Sequence, residues 1–106
     1  MENRGKFRVC ANYAVAQTNT QLVAAPEAGT RLYVTDVILS AGTQGGDVRL
    51  LNGSGGSAVV GPVWLPVGGS LAHHFAVPVQ LNQATALCLT SQNVTTHSVT
   101  VHGYVQ

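Results

Sequence analysis

Apolar and polar residues alternate with a period of two along most of this chain, the spacing that puts every second side chain on one face of a β-strand. Phe7, Val9, Ala11, Tyr13 and Val15 alternate with Arg8, Cys10, Asn12 and Ala14, which predicts a first strand with one buried face. Residues 21–25 predict a short second strand, stopped by Pro26. Residues 31–41 form the strongest segment, rich in β-branched and aromatic residues. Strict alternation there puts Leu32, Val34 and Ile38 on one face and Tyr33, Val37 and Leu39 on the other. An antiparallel strand with one wet face carries polar residues on that side. Two apolar faces therefore predict that one meets the core and the other a neighbouring subunit.

Turn chemistry punctuates the rest. Residues 47–52 end at Asn52-Gly53, a strong hairpin dipeptide, and a glycine–serine loop runs to Ser57. Residues 58–65 contain Gly61-Pro62, and a proline that cannot donate to a ladder predicts an edge strand or a bulge. Pro66-Val67-Gly68-Gly69 makes the next turn, before strands over 70–79 and 86–91. Residues 97–105 close the series, with Val99, Val101 and Val105 facing one way and Ser98, Thr100, His102 and Tyr104 the other. No segment carries the i, i+3, i+4 apolar stripe of a helix over three turns. About eight short strands with regular turns predict an all-β, antiparallel two-sheet β-sandwich, jelly-roll-like.

The 106 residues fit one domain, with residues 1–6 as a flexible polar N-terminal arm and 7–106 as the sandwich. Charge changes the picture most. Only 8% of residues are Asp, Glu, Lys or Arg, and the net charge is +1. Typical domains have about 25% charged residues. A nucleic-acid partner would need clustered cations, so none is expected. No apolar run is long enough for a signal peptide or a membrane span, so no membrane partner is expected either. Sparse charge instead favours association with other subunits. Cys10 and Cys88 lack metal-ligand spacing and read as reduced thiols, although a disulfide between them stays open.

One layout resembles a known type. Arg31-Leu32-Tyr33-Val34 leads into an aliphatic strand, followed by Val48-Arg49-Leu50-Leu51, Val63-Trp64-Leu65-Pro66, Val67-Gly68-Gly69-Ser70-Leu71 and a terminal Gly103-Tyr104-Val105. This order is similar to small jelly-roll structural proteins of tailed bacteriophages. The resemblance covers residues 22–105 and rests on loose patterns of turns and apolar residues. It implies a virion component made in the host cytoplasm, typically a trimer that decorates or cements the capsid by contacting the major capsid protein. A receptor- or carbohydrate-binding fibre or spike module is the alternative, and a small β-sandwich enzyme the third.

Candidate chemistry is thin. The acids Glu2, Glu27, Asp36 and Asp47 show no pair suited to general acid–base work. His73 and His74 are adjacent, so on a strand they point to opposite faces and cannot easily share an ion. His73 could be joined by His97 or His102, but solvent-facing or interface histidines are the expectation. Ser70, His74 and Asp36 make a triad only on paper, without a nucleophile elbow. The run from Asn52 to Gly56 lacks a P-loop lysine and reads as a hairpin loop. No catalytic residue, metal ligand or cofactor is expected. The subunit-interface candidates are Tyr33, Val37, Leu39 and Trp64, with sugar stacking a second use for Trp64. Arg4, Lys6 and Arg8 are the capsid-contact candidates, on an arm that would dock on an acidic neighbour.

Overall fold

Eight strands, β1 (Lys6–Tyr13), β2 (Thr20–Val23), β3 (Leu32–Ala41), β4 (Gly46–Asn52), β5 (Ala58–Leu65), β6 (Ser70–Gln80), β7 (Leu87–Gln92) and β8 (His97–Val105), build two four-stranded sheets in a computed structural model that describes residues 5–106. One sheet has the order β1-β8-β3-β6 and the other β2-β7-β4-β5. Every pairing is antiparallel. Only β4 and β5 are a hairpin within one sheet; each other connection in sequence crosses between the sheets. That strand order, with two Greek keys wrapped together, is the jelly roll expected from the turn spacing. The described residues contain no helix.

The core lies between the sheets. Leu32, Val34, Val37, Leu39, Val99 and Val101 from the first sheet meet Val48, Leu50, Leu87 and Leu89 from the second. Leu81 and Val94 come from connecting loops and are equally buried. Burying each such side chain is worth about 1.5–3 kcal/mol relative to exposure.

One irregularity decides which residues enter that core. Val34 lies opposite Gly103 on β8, yet Asp36 lies opposite His102, so Thr35 is an extra residue in β3. A one-residue bulge swaps the faces of everything that follows it. Leu32 and Val34 point inward before it, and Val37, Leu39 and Ala41 point inward after it. The strict alternation expected for this strand fails for that reason. Val37 and Leu39, expected at a subunit interface, are each 1% exposed and belong to the core. Ile38, expected with Leu32 and Val34, is the outward residue, 48% exposed.

The β6 partner is irregular at the same place. Val79 pairs with Val34 and His74 with Asp36, so the segment 75–78 bows away from β3 and leaves Val77 exposed. Pro62 and Pro78 lie in β5 and β6, the edge strands where a missing N–H costs no ladder bond. The Asn52–Ser57 loop closes through Asn52 N–H to the Ser57 carbonyl at 2.9 Å, with Gly53 and Gly55 at φ of 88° and 71°. Its Gly55 amide donates to Asn19 Oδ1, so the glycines serve the turn.

Two further expectations change. Lys6 is the first residue of β1, paired with Tyr104, and so is not part of an arm; residues 1–4, including Arg4, lie outside the described residues. Val15 lies beyond the end of β1 and is exposed.

Candidate functional site

The outward face of the first sheet collects most of the groups able to do chemistry. The register sets them in rows that cross all four strands. Arg8 on β1 faces His102 on β8, which faces Asp36 on β3, which faces His74 on β6. On one side lies the row Lys6, Tyr104, Tyr33 and Gln80. On the other lies Cys10, Thr100, Ile38 and Ala72, and then Asn12, Ser98, Ser40 and Ser70.

Asp36 is the centre. Its Oδ1 accepts from His74 Nδ1 at 2.7 Å, and its Oδ2 accepts from the Thr35 hydroxyl at 2.9 Å. The bulge brings that hydroxyl there, since it makes Thr35 and Asp36 successive outward-leaning residues. These two donors, His74 first, hold the Asp36 carboxyl below the usual aspartate value, with the positive ends of His74 and His102 adding to the effect. His74 is left with Nε2 in solvent, its side chain 71% exposed.

Two shallow depressions share Asp36, His74 and His102. One, of about 510 Å³, extends over Lys6, Arg8 and Tyr104. The other, of about 440 Å³, extends over Ile38, Ala72 and Thr100. Tyr33 and Tyr104 stack at 4.9 Å with planes 8° apart and form a stiff rim. Beneath them, Phe7 covers Gly103. A Cβ on Gly103 would stand 2.0 Å from the Tyr33 carbonyl and 2.5 Å from Phe7 Cζ, so only glycine lets β1 and β3 close on β8 here.

An Asp–His pair is the orienting half of an acid–base device. Ser70, the third residue of the paper triad, is not beside it: Ser70 lies opposite Ser40, four residues along β3 from Asp36, or about 13 Å at the rise of a strand. Among the described residues no three metal-binding side chains converge.

The remaining candidates are scattered. His73 sits edge-on to Phe75 at 4.7 Å and lines the edge of the depression over Ile38 and Ala72. His97 is buried, not solvent-facing. Its Nδ1 donates to the Thr95 carbonyl at 2.6 Å and its Nε2 lies 3.0 Å from Ser91 Oγ, which also accepts from the Gln17 amide. This chain of bonds ties the β1–β2 crossover to β7 and β8. Trp64 is 65% exposed on edge strand β5, opposite Asp47, which pairs with Arg49 at 3.5 Å. Cys10 is exposed on the first sheet and Cys88 buried in the second, both as free thiols.

The sequence reading set His74 beside Asp36 only in a paper triad with Ser70; the structure keeps the Asp36–His74 pair, leaves Ser70 away from it and puts His102 next to Asp36 on β8. The available signal was Asp36 itself, a lone acid in the middle of an apolar strand.

No protein-family model matches the chain, and no curated protein matches it. Among solved structures it is similar to the coat protein of Tobacco streak virus, at 12% identity and a TM-score of 0.45, over 97% of this chain and 87% of that one. The jelly-roll assignment rests on the strand order and register of the chain itself.

Proposed function

We propose that the chain is a virion structural protein, a capsid decoration or cement protein that bridges capsid subunits as a trimer. The observation that carries this reading is the flank where both sheets end. Edge strands β5 and β6 lie on the same side of the sandwich and hold Trp64 and Val77, and the turn between them holds Val67; these are 65%, 82% and 68% exposed. Large apolar side chains left in water on unpaired edges favour association. The jelly roll serves viral capsid proteins among other classes, so fold alone does not choose the role. The charge content of 8% and the resemblance to phage structural proteins support it. The interface passes from the apolar strand β3, whose Val37 and Leu39 are core residues, to this flank. Closed symmetry would cover the flank, and the resemblance favours three subunits.

Sedimentation velocity tests the reading. The expected mass is three times the 11.0 kDa chain, and Trp64→Asp should shift it to monomer by placing an unpaired charge in a dry contact. A monodisperse 11.0 kDa species at micromolar concentration would overturn it.

A second reading, a receptor- or carbohydrate-binding module of a phage fibre or spike, is favoured by the concavity over Asp36, His74 and His102 on the outer face of the first sheet.

A further inference from the structure

We propose that the concavity over Arg8, His102, Asp36 and His74 binds an acidic saccharide, with the sugar hydroxyls on the Asp36–His74 pair and the carboxylate on Arg8 and Lys6. The proposal rests on the second reading above and names its site and ligand class.

Size comes first. The two depressions, of about 510 and 440 Å³, share three residues and form one trough across the sheet. Sites for small molecules occupy about 300–1,000 Å³. Asp36, Ile38, Thr100 and His102 lie on the two central strands, β3 and β8, with Arg8 and His74 on the edge strands at either end.

Polarity then selects hydroxyls. Each Asp36 oxygen takes one donor from the protein, His74 Nδ1 or Thr35 Oγ1, and each keeps acceptor capacity for another. His74 Nε2 is exposed and can donate or accept. His102 and Thr100 line the same trough. A carboxylate and an imidazole held in fixed geometry match the paired donor–acceptor hydroxyls of a sugar ring. Most of the lining surface is nevertheless carbon, with Ile38 and Ala72 beside the polar groups, and can take the C–H face of a sugar ring.

Charge selects an acid. Lys6 and Arg8 lie two residues apart on β1, so both point outward at one end of the trough. The Arg fork suits a carboxylate. Asp36 stands at the centre and would repel a densely charged polymer, so a nucleic-acid backbone does not fit, whereas one carboxylate per ring can reach the β1 end while its hydroxyls face Asp36. Tyr104, stiffened by Tyr33, closes the rim with its hydroxyl.

The test is a titration of the isotopically labelled full chain followed by amide NMR. The probes are glucuronate, galacturonate and N-acetylneuraminate, with glucose and acetate as controls. At least one acid sugar should give saturable shifts at Arg8, Asp36, His74, His102 and Tyr104, and bind at least tenfold more tightly than glucose or acetate. Arg8→Gln should weaken that sugar about tenfold while leaving the spectrum dispersed. Ala72→Trp, on the exposed rim, should block it in a chain that still folds. Three outcomes would overturn the proposal. One is no saturable shift from any acid sugar at tens of millimolar. Another is acetate binding as tightly as the sugars, which would make the trough a simple anion site. The last is ligand-free shifts of these residues with protein concentration, which would show a second copy covering the face. Sedimentation on the same sample reads the oligomer separately, so failure of sugar binding leaves the trimer reading standing, and the reverse.

Discussion

Asp36 and Cys10 stand one row apart on the same sheet face, and each is tuned by its neighbours across the strands. The Asp36 carboxyl is held below its usual value, chiefly by the His74 hydrogen bond. Because its folded-state value is depressed, its contribution to stability is present above the unfolded value near pH ~3.9 and is lost as pH falls through the folded one. Carboxyl NMR should show an Asp36 midpoint below that of free aspartate, and His74→Ala should raise it. A midpoint unmoved by that change would remove His74 as the cause. Cys10 is lowered as well, first by the Thr100 hydroxyl 3.6 Å from its sulfur and then by Arg8, while burial raises Cys88. The thiolate is the reactive form. Iodoacetamide at neutral pH should therefore modify Cys10 first and leave Cys88 untouched until the protein unfolds. Thr100→Val should slow the reaction at Cys10. Equal labelling of both thiols by mass spectrometry in the native protein would contradict the assignment.

At the level of elements, β3 is where a single residue changes the outcome. Thr35 interrupts the ladder, and the strand delivers apolar residues inward on both sides of it. Truncating Leu39 should therefore destabilise by about 2–5 kcal/mol, as for any buried leucine. Ile38→Ala, one residue away on the outer face, should stay within about 0.5 kcal/mol, as surface changes usually do. Urea denaturation of the two variants distinguishes this register from strict alternation, which would reverse the order. Deleting Thr35 should be worse than either, since it would turn Asp36 or the core residues to the wrong side.

For the molecule as a whole, the last strand is a central one. β8 lies between β1 and β3 and supplies Val99 and Val101 to the core. Removing residues 97–106 would strip β1 of its only ladder partner and open the core to water. The truncated chain should lack near-ultraviolet circular dichroism and a cooperative melting transition. A truncated chain that melts cooperatively would mean that the second sheet folds without the first.

Much of this was legible along the chain. The alternation in β1 and β8 assigned their faces, and Ser98, Thr100, His102 and Tyr104 do point outward where Val99 and Val101 point in. Asn52-Gly53 and Pro66 to Gly69 marked the turns, and Pro62 marked an edge. These signals are local: a period of two, a residue that accepts positive φ, and a proline without an N–H each act within a few residues. Tertiary structure decided the rest. The β3 bulge has meaning only against β8 and β6, so its face swap was invisible in the alternation. His97 looked like a surface histidine until Ser91 and the Thr95 carbonyl gave its ring buried partners. Asp36 and His74 are 38 residues apart, and only the strand order brings them to 2.7 Å. The sequence alone determined which segments become strands and which of their positions are apolar, because backbone and side-chain preferences act within a strand. The pairing of strands, and with it the site, was decided by which edges could close one core, a choice made between segments far apart in the chain.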